Sequence, residues 1–427
     1  MFDLDEFFLH YIWRYLLLNN TNLQTDSGIP VEILSTGIPN KDSGPDFTNA
    51  KIKLENTIWV GCIEIHVHSS DWYHHQHQLD HAYDSTILHV VYEIDKEVCN
   101  SRGQYIPQLE LKGRIPGYTI DNYKKLKNNR NRIHCQNMDW KLSPLEMKSW
   151  HTRLAISRIE NKSSLINQLL SKYQNDFERV LYTLIARYFG SNVNREPMQW
   201  LIESIPFEVI LKNQDRPSTI EALLFGQAGF PGVKDEDDYL KKLQEEYKFL
   251  AQKYELEPMN KSAWKWGKLR PSSLPTIRIA QLASFLAQTN WNFDRIIRSF
   301  DLNSWDHNLA ICASSYWSNH SQFGNSVQHR EKRVGAELKN NLVINAIVPV
   351  MFLYGKFHNN EKLVDQSLLL LESLRAEKNN VTNLWKRNGI FAGNALESQS
   401  LIELTTNFCD EFKCLKCAIG KKILQTQ

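Results

Sequence analysis

The spacing of apolar side chains divides the chain into two textures. Over residues 4–18, Leu4, Phe7, Phe8, Tyr11, Ile12, Tyr15 and Leu18 recur at helical intervals, the stripe of an amphipathic helix. Polar residues 19–28 end it. From 30 to 115 the period shortens: VEILST, AKIKLE, TIWVGCIEIHVH, TILHVVYEI and QLELKG are short runs bounded by Gly, Pro, Asn and Asp, which reads as strands. One helix is expected over 70–84. Helix, strands, helix, strand is the order of an α/β unit with a mixed sheet and a crossover.

Beyond Tyr118 the strand signal fades, and NYKKLKNNRNRIHCQN, basic and Asn-rich, reads as part of a linker over 119–142. Helical spacing returns over 150–170, 177–189, 239–254, 277–286 and 342–353, broken by GFPG at 229–232, RPSSLP at 270–275 and Pro349. No fixed repeat runs through this part. The expected organisation is an α/β domain over 1–118, the linker, and a mostly α-helical, irregular domain over 143–427.

Composition narrows the partners. The 427 residues carry 50 basic and 48 acidic side chains, a net charge of +2, so no global field favours nucleic acid or membrane. An anionic partner has to be met by a local patch. The N-terminal stretch is interrupted by Asp3, Asp5, Glu6, His10 and Arg14, which suits neither a leader nor a spanning segment. Seven cysteines, an odd number, fit a reducing compartment better than a disulfide framework. The expectation is a cytoplasmic protein without a membrane partner.

The chemistry gathers in GPDFTNAKIKLENTIWVGCIEIH, residues 44–66. With a turn at Glu55-Asn56-Thr57 and Leu54 opposite Ile58, Asp46 falls opposite His66, and Glu64 is diagonal to it on the same face. A two-residue loop would send Asp46 to the other face. Two neighbouring half-buried carboxylates repel unless a cation or a proton relieves them, and an oxygen-rich pair suits Mg²⁺ or Mn²⁺. The plainer alternative is a one-sided sheet with Glu64 facing solvent. SSDWYHHQHQLDHAYD follows, and seven of the fourteen histidines fall between 66 and 89. On a helix His74, His77 and His81 share a face, a second candidate for Zn²⁺, Mn²⁺ or Fe²⁺, although a His-rich helix is often only a solvated surface.

Asp46 after Pro45, followed by Glu64-Ile65-His66, resembles the signature of the PD-(D/E)XK, or restriction-endonuclease-like, nuclease superfamily, and the order of elements resembles that fold's core. The resemblance implies that Asp46 and Glu64 bind metal, that Glu6 is an accessory acid, and that His66 stands where Lys is expected. Imidazole can act as base or ligand, but it carries no permanent charge. The phrases SGPDFTNA, ILHVVYE, RPSSLPTIRIAQLA, LVINAIVPVMFLYG and CLKCAIG resemble, across nearly the whole chain, a bacterial family of unknown function.

Cys409, Cys414 and Cys417 form a C-x4-C-x2-C cluster. Cys135 is the candidate for a fourth ligand, closing a zinc site or a [4Fe-4S] cluster; unpaired thiols are the alternative. In the helical part, Lys265, Lys268, Arg270 and Arg278 interleave with Trp264 and Trp266, a composition suited to phosphate neutralisation and base stacking or, more plainly, to a loop whose indoles are buried. The leading expectation is a metal-dependent nuclease. Alternatives are a non-catalytic nucleic-acid-binding or assembly protein on the same scaffold, and a His/Asp metallohydrolase.

Overall fold

The computed structural model describes residues 4–230, 238–287, 293–298 and 309–426. They fall into two compact units: residues 1–147 with 404–427, and residues 148–403. The C-terminal segment, expected in the helical part, therefore belongs with the first unit. Of the expected corner at 229–232, Pro231 and Gly232 lie outside the described residues.

The first unit is mixed α/β. Helix α1 (Glu6–Tyr15) starts where Asp5 caps it, accepting from the Phe8 N–H at 3.0 Å; the cap satisfies an otherwise orphaned donor. It ends at Leu16, left-handed at φ 48°. Strands β1 (Val31–Ser35), β2 (Ile38–Pro39), β3 (Phe47–Leu54), β4 (Thr57–His68), β5 (Thr86–Glu93) and β6 (Gln108–Glu110) form one sheet. Its order is β1-β3-β4-β5-β6, with β2 also on β3. β1, β3 and β4 are antiparallel neighbours, whereas β4, β5 and β6 run parallel. At Gly61 the strands approach so closely that a Cβ would stand 2.6 Å from the Ser85 carbonyl oxygen, which is why only glycine fits.

Between β4 and β5 the expected helix is mostly absent. Helix α2 (Asp71–His74) makes one turn, Gln76 is left-handed at φ 62°, and 3-10 turns follow at His77–Leu79 and His81–Tyr83. Trp72, Tyr83, Val98 and Ile106 pack into a small core beneath this crossover. The segment read as a linker begins instead with helix α3 (Gly117–Asn128). Tyr123 stacks on Phe8 with ring centres 4.3 Å apart, and Asp5 accepts from the Tyr123 hydroxyl and from Lys127 Nζ, both at 2.8 Å. The carboxylate that caps α1 thus also holds α3.

The second unit is helical around one large apolar core. Its expected helices form, among them Phe177–Phe189 with Asp176 as cap, Asp238–Tyr254 and Pro275–Leu286. Helix Pro144–Lys172 enters it from the first unit. Around Pro349 the helices Ala336–Leu342 and Val348–Phe357 are joined by a π turn, Val343–Ile347, where the widened ladder accommodates the proline. Among the described residues this run, Ala336–Phe357, is the one helix long and apolar enough to cross a membrane, and 61% of its apolar window is buried within the protein.

Candidate metal centre

The hairpin turn has two residues, Glu55 and Asn56, and Leu54 pairs with Thr57. The expected three-residue turn does not form; Glu55 is left-handed at φ 51°, closing the hairpin one residue earlier. Continued without interruption, this register would put Asp46 and Glu64 on opposite faces. A bulge intervenes: Asn49 is left-handed at φ 56°, and the register shifts between Phe47 and Ala50. The buried residues of β3 accordingly run Phe47, Ala50, Ile52, Leu54, so their parity changes at the extra residue. Asp46 returns beside Glu64: its N–H donates to Glu64 Oε2 at 3.0 Å, and its Oδ2 accepts from the Ile65 N–H at 3.0 Å.

Register then carries the polar row across the sheet. Glu64 lies opposite His89 on β5, and His89 opposite Gln108 on β6. Glu64 is 5% exposed, His66 1%, and His89 and Gln108 are fully buried. From α1, Glu6 and His10 face this row one turn apart, as i and i+4 require; His10 Nε2 is 3.1 Å from Asp46 Oδ2.

Imidazoles complete the cluster. His66 Nδ1 is 2.8 Å from His89 Nε2, and its Nε2 is 3.0 Å from His75 Nδ1 and 3.6 Å from Glu64 Oε1. His77 Nε2 approaches Glu64 Oε1 to 3.2 Å, yet this buried nitrogen makes no hydrogen bond. Tyr83 stacks on the His77 ring at 3.8 Å, and Trp72 meets it edge-on at 5.3 Å. One donor atom from each of His66, His75 and His77 lies within 4.8 Å of the others, close enough for one ion.

The charges follow from this packing. Burial, then the adjacent Asp46 charge, pushes the Glu64 carboxyl up to about 9. Burial, with His89, His77 and His75 around it, pushes His66 down to about 2. Burial also lowers His77, and brings His89 down to about 3. Burial works against a charged His10, but the Asp46 carboxylate 3.1 Å from its Nε2 outweighs it and the ring is raised. Burial raises Glu6. Neutral imidazoles beside a carboxyl that burial keeps protonated are groups a divalent cation would relieve.

The expected face of His74, His77 and His81 is not present. The left-handed Gln76 breaks the helix, and His74 and His81 turn to solvent, each 3.1 Å from a carboxylate of its own turn, Asp71 and Asp84. His77 alone of the three reaches the cluster. His10, His75 and His89 were not singled out from the sequence. Glu6 and His10 at helical spacing, and a histidine inside the aliphatic run TILHVVYE, were the available signals; His75 had none apart from its neighbours.

The basic stretch of the helical unit does not present its indoles. Trp264 is 4% exposed and donates from Nε1 to the Ala228 carbonyl at 2.9 Å, and Trp266 packs against Phe230. Arg278 bonds Gln281 Oε1 at 2.9 Å, while Lys265, Lys268 and Arg270 are exposed. Cys135, Cys409, Cys414 and Cys417 all belong to the first unit.

A mixed α/β unit bearing a carboxylate–histidine cluster, followed by a helical unit, is the class these features define. Over residues 6–380 the chain matches the family described as Protein of unknown function (DUF2851), and it belongs to that family. Searches of curated proteins and of solved structures return no match. The cluster lies within the matched stretch; Cys409, Cys414 and Cys417 lie beyond it.

Proposed function

We propose that the α/β unit is a divalent-metal-dependent, nuclease-like hydrolase of phosphodiesters. The observation that carries the proposal is the convergence on Glu64 Oε1 of His77 Nε2 at 3.2 Å, without a hydrogen bond, and His66 Nε2 at 3.6 Å, with Asp46 held alongside. The order α1, antiparallel β1-β3-β4, crossover, parallel β5 supports the phosphodiester reading. It resembles the order of the PD-(D/E)XK core, with Asp46 just ahead of one strand and Glu64-Ile65-His66 on the next.

Glu64, His66, His75 and His77 are the residues that would hold the ion, with Asp46 beside Glu64. Mixed nitrogen and oxygen donors favour Mn²⁺, Fe²⁺ or Zn²⁺ over Mg²⁺. A bound ion would polarise the phosphate and lower the pKa of a water molecule. His66, neutral on the floor of the cluster, supplies no cation where the superfamily pattern has Lys, so charge neutralisation falls to the metal.

Incubation of the full chain with single- and double-stranded DNA and RNA in Mn²⁺, Mg²⁺ or Zn²⁺ tests this. Cleavage lost in Asp46→Asn and Glu64→Gln is expected. No cleavage of any substrate, or undiminished cleavage by both variants, would overturn the catalytic proposal. A second reading, binding without cleavage, draws on the neutral His66; metal-dependent retention of nucleic acid without products would favour it.

A further inference from the structure

The C-terminal cysteines define a site distinct from the carboxylate–histidine cluster. Cys409 closes the π turn Thr405–Cys409, Cys414 opens the 3-10 turn Cys414–Lys416, and Cys417 caps helix Ala418–Gln425. The Cys417 N–H donates to the Cys414 carbonyl at 3.1 Å. This turn folds so tightly that a Cβ on Gly420 would stand 2.1 Å from that carbonyl oxygen. Burial raises the Cys417 thiol, and hydrogen bonds from the Gly420 and Ile419 N–H groups work against that rise.

The loop that carries Cys135 is docked against the same place by two contacts that flank the cysteines. Arg132 makes a two-pronged ion pair with Asp410, 2.7 Å at each contact. His134 has Nε2 3.1 Å from the Cys409 carbonyl oxygen and Nδ1 2.9 Å from that of Asn129. Cys409, Cys414 and Cys417 are buried and Cys135 is half-buried. The four thiols lie within electrostatic range of one another. Inert packing cysteines have no need of this setting, with two distant segments of the chain and two polar clamps beside the sulfurs.

We propose that Cys135, Cys409, Cys414 and Cys417 form a tetrathiolate site for a soft metal, as an iron–sulfur cluster or a zinc ion, that ties the C-terminal segment into the α/β unit. As bare thiols these side chains would be poor nucleophiles, since burial pushes Cys135 and Cys414 up to about 12; metal binding deprotonates such groups outright. A tetrahedral zinc ion draws its sulfurs to roughly 3.8 Å apart. A [4Fe-4S] cluster holds its four sulfurs farther apart than a zinc ion does, and among the described residues the group of three donors within 4.8 Å of one another is the histidine one.

The test is metal and acid-labile sulfide analysis of the full chain purified without oxygen, with absorption spectra and X-ray absorption at the metal edge. Iron with sulfide, four sulfur neighbours per cluster site and a brown colour are expected, all lost in Cys414→Ser and Cys135→Ser and kept in the control Cys312→Ser. Stoichiometric zinc with four sulfur neighbours would support the same ligands with an ion in place of a cluster. Absence of metal, or metal whose edge spectrum shows nitrogen and oxygen neighbours only, would overturn the proposal even where a serine variant fails to fold.

Discussion

Glu64 is the residue on which the electrostatics of the carboxylate–histidine cluster turn. Its carboxyl stands at about 9 rather than 4.5, first because it is buried and then because Asp46 is beside it. The metal-free folded state therefore holds a proton that the unfolded chain releases above 4.5, and stability should fall as pH rises from 4.5 toward 9. Added Mn²⁺ should reverse that loss in thermal melts. Metal displaces the same proton, so Mn²⁺ affinity should rise about tenfold per pH unit below 9, a slope that titration calorimetry would detect and that Glu64→Gln would remove together with most of the binding. His89, fully buried with Nε2 2.8 Å from His66 Nδ1, orients a ligand from behind. His89→Phe should weaken Mn²⁺ binding by roughly 10- to 100-fold, the usual effect of losing such a partner.

At the scale of elements, a single bulge decides whether the cluster exists. Alternation along IEIHVH placed Glu64 and His66 on one face from sequence alone, and short strands bounded by turn residues were legible for the same reason. The turn was not. Glu55 and Asn49 both take left-handed conformations, and their two offsets of one residue add to two, which restores the face and moves Asp46 from opposite His66 to opposite Glu64. Deleting Asn49 should leave the hairpin in place, with an unchanged far-ultraviolet spectrum, and send Asp46 to the far face with loss of Mn²⁺ binding. The crossover was misread because SSDWYHHQHQLD has helical spacing but little apolar stripe to hold a helix, and its core contacts, Trp72 and Tyr83, are served by short turns.

For the molecule as a whole, the helical unit was legible because its apolar residues repeat over long windows, whereas the return of residues 404–426 to the first unit depends on long-range contacts that no local pattern encodes. Thr119 Oγ1 donating to the Leu424 carbonyl at 3.0 Å is one of them. The helical unit also contains a polar seam: Lys162, half-buried overall, turns its ammonium inward to Gln399 Oε1 at 2.7 Å and the Ile344 carbonyl at 3.3 Å. Burial lowers this lysine from 10.5 to about 7. The unfolded chain keeps the proton to higher pH than the folded one, so stability should rise with pH between 7 and 10.5, by up to about 1.4 kcal/mol per unit. Denaturant melts of Lys162→Met should lose that slope. The central claim, that Glu64 and the histidines His66, His75 and His77 share a cation, is tested most directly by anomalous diffraction from crystals grown with Mn²⁺. The account predicts one strong peak about 2.0–2.4 Å from Glu64 Oε1 and His77 Nε2; a Mn²⁺ peak elsewhere, with none between these atoms, would contradict it.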